Sequence, residues 1–373
     1  MWGHVANSSI GNSGNNAKQS SAPFTSSKLT YSIFQNMNEG LVITNTYGNI
    51  LNVNQAFCTI TGYSAPELLG KNLNVIKSNL HDQTFYEQLW NRITTVGNWK
   101  GEIWNRHKNG RLYLQKLSII AIRDEDDKII NYIGVATDIS EEEKLRKDII
   151  RTGILQRTLL PSTLNLQMIE IDTVFTPLKY LGGDFFDYYW DSEKSVLSGY
   201  IIDIMGHGVT AAFQNSVLRV LFQQNFDNRS TLVDVLSNIN RESMNYFLED
   251  TFAAALCFRV DMRNGLLTYA CAGINKFIKM PINGQISIIK QAGPYLGIFE
   301  EPIFTEKTIA IETGESFYFM TDGFMDLFEI ENPFQSIDLK KNINSLREIS
   351  TYHLRDDASA IGIFLKHVGG WAI

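Results

Sequence analysis

The 373-residue chain is long enough for two domains, each with its own apolar interior, and 44% of its residues are hydrophobic. Lys and Arg number 33 against 40 Asp and Glu, a net charge of −7 with no dense basic run, which excludes a nucleic-acid backbone as partner. Cys58, Cys257 and Cys271 are scattered through apolar segments, a pattern of reduced, buried thiols in a cytoplasmic compartment and not of disulfides or a zinc site.

Residues 1–28 are dominated by Gly, Ser and Asn, too little apolar surface to offset chain entropy, and are expected to form a disordered leader. No run approaches the roughly 18 apolar residues that cross a bilayer, and no charged start precedes an apolar core, so no membrane partner is expected. From Tyr31 the pattern changes to short apolar bursts. GLVIT, the turn NTYGN and ILNVN predict a two-stranded hairpin. NQAFCTITGYS predicts a helix, and TFYEQLWNRITTV, with Phe85, Leu89 and Ile93 at four-residue steps, predicts another packed on a sheet. Three strands follow: GEIWNRHKNG with Asn109-Gly110 at its turn, RLYLQKLSIIAIRD, and IINYIGVATDIS after the acidic turn DEDD. This is a mixed α/β module whose second half is dominated by sheet.

NQAFCTITGYSAPELLGKN, GNWKGEIWNRHKNG and TDISEEEK, in that order, resemble a PAS domain over residues 29–140. The resemblance implies a sensor of a small molecule, light or redox state, or a dimerisation unit, and fixes no ligand. Photoactive flavin members carry a reactive Cys after the turn that reads GKN here; this chain has Leu73, so cysteinyl photochemistry is not expected. Trp99 and Trp104 are placed as in redox-sensing PAS domains that bind FAD, although aromatic core filling is the simpler account. His81 and His107 are the two conceivable haem ligands, but both lie in polar segments typical of surface residues.

ISEEEKLRKDIIRTGILQRTLLP predicts a linker helix over residues 141–160, opened by a capping box of Ser140 and Glu143, favoured by its acidic first turn, and ended by Pro161. Leu145, Ile149, Thr152, Leu155 and Leu159 recur at steps of four and three. A stripe that narrow suits a two-stranded parallel coiled coil, hence a homodimer through the PAS domain and the linker in which the stalk carries a signal. A linker helix docked on one domain is the alternative, because so short a stripe is marginal by itself.

The second half opens with LGGDFFDYYW. Gly182-Gly183-Asp184 is half of a diguanylate-cyclase hairpin, but Phe185 stands where that motif has Glu, and the acidic strand it requires upstream is missing. Three other acidic spots share one grammar, an apolar strand bounded by Asp: GYIIDIMGHG at Asp203, SFYFMTDGFMD at Asp322, and HLRDDASAIGIFL at Asp356 and Asp357. Carboxylates at the lips of apolar strands are costly to bury unpaired. Their convergence calls for cations, and oxygen-only donors select Mg2+ or Mn2+ over zinc.

LGGDFFDYY, DIMGHGVTAAF, TFAAALCFRVD, AGPYLGIF, TDGFMD and DDAS, in that order, resemble the metal-dependent serine/threonine protein phosphatases of the PPM family, in the SpoIIE-type branch, which LQRTLLP also resembles. The fold class implied for the whole chain is α+β: an N-terminal PAS fold, a coiled-coil linker, and an α-β-β-α sandwich over residues 161–368. The chain agrees with this in its two-sided strand AAALCF, its turns at Asn264-Gly265 and Asn283-Gly284, and its helix-like stretches VTAAFQNSVLRVLFQQ and TLVDVLSNINRESMNYFL. The resemblance implies two Mn2+ or Mg2+ ions that lower the pKa of a shared water for in-line attack on phosphorus. It places them on Asp184 and Asp203, with Asp203 bridging, on the backbone carbonyl of Ile204, and on Asp322 and Asp356, with Asp357 competing for the last place. Asp187 points to the opposite face of its strand from Asp184. His207 is either the general acid to the leaving oxygen or a residue that orders its loop, and Gly206 and Gly208 supply tight backbone. The chain departs from the family pattern at Asp326, where Glu is usual, and at Ile204 and Met205, where small residues are frequent; neither change removes a carboxylate from the set. The implied substrate is a phosphorylated anti-sigma antagonist-like protein; a catalytically silent interaction module is the competing reading.

Overall fold

The computed structural model describes residues 26–226, 230–334 and 336–369. The expected leader lies outside the described residues except at 26–28, which open a helix. The chain divides between Lys144 and Leu145 into two compact units.

The first unit runs α1 (Ser26–Asn36), β1 (Gly40–Asn45), β2 (Ile50–Val53), α2 (Gln55–Thr61), α3 (Ala65–Leu68), a 3-10 turn over Leu73–Ile76, α4 (Gln83–Val96), β3 (Asn98–Arg106), β4 (Leu112–Arg123) and β5 (Ile129–Asp138). Its antiparallel sheet has the order β2-β1-β5-β4-β3. Val42, Val53, Phe57, Leu68 and Ile76 form one core, and Leu89 and Ile93 of α4 pack with Ile119 and Tyr132 in a second, as the four-residue spacing predicts. The start of α2 is fixed by Asn54, whose Oδ1 accepts from the N–H of Leu41 at 2.7 Å and of Phe57 at 2.9 Å while its Nδ2 donates to the Glu39 carbonyl at 2.9 Å. Asn54 is fully buried. Asn54→Ala strands two N–H groups and is expected to destabilise this unit by about 2–3 kcal/mol, read as an earlier transition in thermal or urea melting.

A cavity of about 100 Å³ lies inside this unit, walled mostly by apolar and aromatic side chains together with Thr44, Asn74, Lys77, Asn105 and Gln115. Asn105 Nδ2 donates to Gln115 Oε1 at 2.8 Å, and the Thr44 hydroxyl is buried without a partner. Neither Trp99 nor Trp104 lines it; Trp99 packs edge-on against Phe85, centroids 6.1 Å apart. The two candidate haem ligands lie elsewhere as well. His81 Nε2 accepts the Trp104 N–H at 2.8 Å, and His107 lies against Gly62.

The second unit contains most of α5 (Ser140–Thr158), then β6 (Leu164–Asn165), β7 (Ile169–Thr176), β8 (Phe185–Asp191), β9 (Val196–Ile204), α6 (Val209–Asn225), α7 (Leu232–Ser243), β10 (Ala253–Asp261), β11 (Leu266–Ala272), β12 (Lys276–Met280), β13 (Ser287–Lys290), β14 (Glu306–Ala310), β15 (Ser316–Met320), α8 (Asp322–Glu331), α9 (Leu339–His353) and β16 (Ala358–Leu365). Two sheets form, of order β14-β11-β10-β9-β8 and β13-β12-β15-β16-β7-β6. Alternation along each strand feeds three apolar layers. Ile201, Leu256 and Phe258 meet Phe277, Phe319 and Ile361 between the sheets, where the Phe258 and Phe319 rings stack in parallel at 4.2 Å. Leu218, Phe222, Leu236 and Ile239 of α6 and α7 cover Ile202 and Cys257 on one outer face. Phe324, Phe328, Ile343 and Leu346 of α8 and α9 cover Tyr318 and Ala360 on the other. The result is an α-β-β-α sandwich.

One expectation about α5 needs correction. The capping box does not form: the Ser140 hydroxyl donates to Asp138 and accepts the Leu114 N–H at 2.8 Å, and Asp138 Oδ1 accepts the Ser140 N–H at 2.9 Å, so a residue at the end of β5 caps the helix. The apolar stripe is not the face that docks. Leu145, Leu155 and Leu159 are exposed, whereas Gly153 is buried and so close to the Tyr180 carbonyl that a Cβ there would overlap it. No helix among the described residues is long and apolar enough to cross a membrane.

Candidate active site

Asp184 immediately precedes β8 and Asp203 is the penultimate residue of β9, so both hang from the five-stranded sheet. Asp322 follows β15 at the start of α8 and Asp356 precedes β16, so both hang from the six-stranded sheet. The sandwich brings these ends together. The carboxyls of Asp203 and Asp322 are hydrogen-bonded, Asp356 acts on both, and Asp203 is the charge that most affects Asp184.

Asp184 is fully buried. Its Oδ2 accepts from the Thr321 hydroxyl at 2.8 Å, and its Oδ1 is buried with no partner. Burial, then the Asp203 charge, pushes its pKa well above the carboxylate range. Burial, then Asp322 and Asp356, pushes Asp203 up to about 8, and Asp322 is raised by burial and then by Asp356. Asp357 is also raised by burial, but its two oxygens accept the N–H groups of Leu178 and Gly183, each at 2.7 Å. Asp357 therefore ties down the loop before Asp184, while Asp356 faces a cavity of about 430 Å³ that Asp203, Asp322, Asp326, Met205, Lys276 and Tyr295 also line.

The other expected residues fall elsewhere. Asp187 lines a separate cavity, near Arg219 and Gln223, as strand alternation requires. His207 is exposed, does not line the acidic cavity, and acts on Asp357. The Ile204 side chain is core, while its carbonyl and that of Gly206 face Gly183, where a Cβ would come within 2.8 Å and 3.0 Å of them. The sequence singles out Asp357 only as a competitor of Asp356, and it does not single out Thr321 or Gln156. Gln156 of α5 clamps Gly182 with both ends of its amide, donating to the carbonyl at 2.8 Å and accepting from the N–H at 3.2 Å. The linker helix thus touches the loop that carries Asp184.

The donor set suits a divalent ion. All its donors are oxygens, and the orphaned Asp184 Oδ1 is a buried acceptor that lacks a positive partner, a combination that fits Mg2+ or Mn2+. Among the described residues no three His, Cys, Asp or Glu side chains already stand at cage spacing; Asp203 and Asp322 contact each other directly. The residues able to ligate are Asp184, Asp203, the Ile204 carbonyl, Asp322 and Asp356.

The raised pKa values carry a stability consequence. A carboxyl raised in the fold keeps a proton that the unfolded chain releases, so stability is greatest below the ordinary carboxylate range and falls as pH rises towards about 8, the value for Asp203. In chelator, the melting temperature is expected to drop between pH 5 and 8 and the drop to shrink in Asp203→Asn, as measured by calorimetry.

Five strands on six, helices outside and acids gathered at one edge of both sheets define the PP2C-type phosphatase fold; the first unit is a PAS fold. Residues 195–362 match the family described as Stage II sporulation protein E (SpoIIE), and residues 38–141 match the PAS domain family. The chain is therefore a PAS domain joined to a SpoIIE-type domain. It is similar to phosphoserine phosphatase RsbP of Bacillus subtilis (strain 168), 25% identical over 227 residues that cover 57% of this chain and 56% of that protein. It is similar to the nitrogen fixation regulatory protein of Klebsiella oxytoca, 26% identical over 141 residues, 37% of this chain and 27% of the relative. The chain thus spans about half the length of the first of these relatives and less of the second. The SiaA-PP2C domain of Pseudomonas aeruginosa shares the fold, with a TM-score of 0.51 and 18% identity, covering 61% of this chain and 99% of that one.

Proposed function

We infer that the chain is a sensor-controlled protein serine/threonine phosphatase that hydrolyses a phosphoserine or phosphothreonine on a small regulatory protein of the anti-sigma antagonist kind. The observation that carries this reading is the meeting of Asp184, Asp203, Asp322 and Asp356 at one sandwich edge, with one carboxylate oxygen buried and unpartnered. The similarity to a phosphoserine phosphatase supports the substrate type.

In this reading two bound divalent ions supply a water of lowered pKa in line with the ester bond. Asp184, Asp203, the Ile204 carbonyl, Asp322 and Asp356 would hold the ions, with Asp203 shared between them. Thr321 holds Asp184 Oδ2 so that Oδ1 stays available, and Asp357 fixes the preceding loop through Leu178 and Gly183. Gln156 gives the sensor a route to that loop, and the exposed Leu145, Leu155 and Leu159 support a homodimer whose stalk carries the signal. The three free cysteines support a reducing, cytoplasmic setting. The small first-unit cavity suits a compact ligand, and FAD draws no support from Trp99 and Trp104, which lie outside it.

Release of phosphate from a phosphoserine protein in Mn2+, with and without chelator, tests the reading. Turnover that needs the ion is expected; no turnover under any ion would leave the silent interaction module.

A further inference from the structure

The acidic cavity has a positive pole. Among the described residues that line it, Lys276 is the one cation, facing Asp203, Asp322, Asp326 and Asp356. Lys276 opens β12, and the residue before it is anchored: Asn275 Oδ1 accepts the Gly293 N–H at 3.0 Å and its carbonyl accepts the Gln291 N–H at 3.0 Å. The base of the lysine is thus fixed to the cavity wall while its four-carbon stem is free to swing.

The ammonium is parked on Glu329 of α8, Nζ to Oε1 2.7 Å. Asp322, Asp326 and Glu329 recur at i, i+4 and i+7, so Glu329 stands about two turns along the helix face that begins at Asp322. Both partners of the pair are more than a third exposed, at 37% and 38%. An ion pair that wet contributes little, so exchanging Glu329 for another anion is easy. A phosphomonoester dianion entering this cavity meets carboxylates on one side and needs a counter-charge on the other; a mobile point charge on a flexible stem suits a phosphoryl group.

Resting on the phosphatase reading above, we propose that Lys276 is the substrate-binding cation of the cavity: its ammonium leaves Glu329 and takes a phosphoryl oxygen of the incoming phosphoserine or phosphothreonine. Until substrate arrives the ammonium stays paired with Glu329.

The test is binding of a fluorescent peptide carrying a non-hydrolysable phosphonate analogue of phosphoserine to the full chain in Mn2+, read by anisotropy, beside phosphate release from the matching phosphopeptide. Lys276→Gln is expected to weaken binding about tenfold with its melting temperature unchanged. Lys276→Arg should stay within about twofold of wild type, and Glu329→Gln should bind as tightly as wild type or tighter. Equal binding by Lys276→Gln and wild type, equal weakening by Lys276→Gln and Glu329→Gln, or a wild type that does not bind the analogue overturns the proposal. Failure of the phosphatase reading shows separately, as a wild type that binds the analogue but releases no phosphate.

Discussion

Asp203→Asn is expected to lower Mn2+-dependent phosphate release by on the order of a thousandfold or more, while the protein stays folded and, in chelator, melts at a higher temperature than wild type. The two effects have one cause. Asp203 sits between Asp322, Asp356 and Asp184, and burial and their charges push it up to about 8. The amide keeps the shape and removes the charge that those neighbours oppose, so the ion-free fold gains. The same charge is what would hold two ions together, so turnover collapses. A variant that lost activity by unfolding would show the opposite melting shift. Retained turnover with a raised melting temperature would remove Asp203 from the site and leave only the electrostatic crowding.

Gly323→Ala is expected to destabilise the sandwich domain by about 3 kcal/mol and to reduce turnover by at least about tenfold even where the protein is still folded. Gly323 follows Asp322 in the first turn of α8, and a Cβ there would overlap the carbonyl oxygen of Asp357 and come within 3.0 Å of the Ala358 Cβ. Asp357 cannot retreat, because its side chain is tied to Leu178 and Gly183. The start of α8 has to move instead and takes Asp322 with it. Urea melting and kcat on a phosphopeptide, both at saturating Mn2+, check the two parts. Wild-type turnover in a destabilised variant would show that the position of Asp322 is not critical.

Much of this architecture is legible in the residues because the strands advertise it. Ile201 and Ile202, adjacent and both buried, belong to a strand covered on two faces, and Asn264-Gly265 marks the turn between β10 and β11. What escapes the sequence is settled by partners that arrive from far along the chain. Asp356 and Asp357 are chemically identical neighbours, and only the N–H groups of Leu178 and Gly183 distinguish them. Thr321 reads as part of the TDG motif, yet its hydroxyl serves Asp184, 137 positions away. Ser140 has the right spacing for a capping box, but the Leu114 N–H from β4 reaches its hydroxyl. The docking face of α5 is marked by Gly153, a missing side chain, and a hydrophobic pattern counts a glycine as a gap.

Because two of the four carboxylates are rooted in each sheet, the sandwich works as a calliper whose jaws are the strand ends and whose gauge block is the parallel Phe258–Phe319 pair. The span between jaws follows the thickness of that aromatic filling. On the phosphatase reading, residues that never meet a phosphate would therefore retune the reaction, and core variation in this domain would act as a dial on rate as well as on melting.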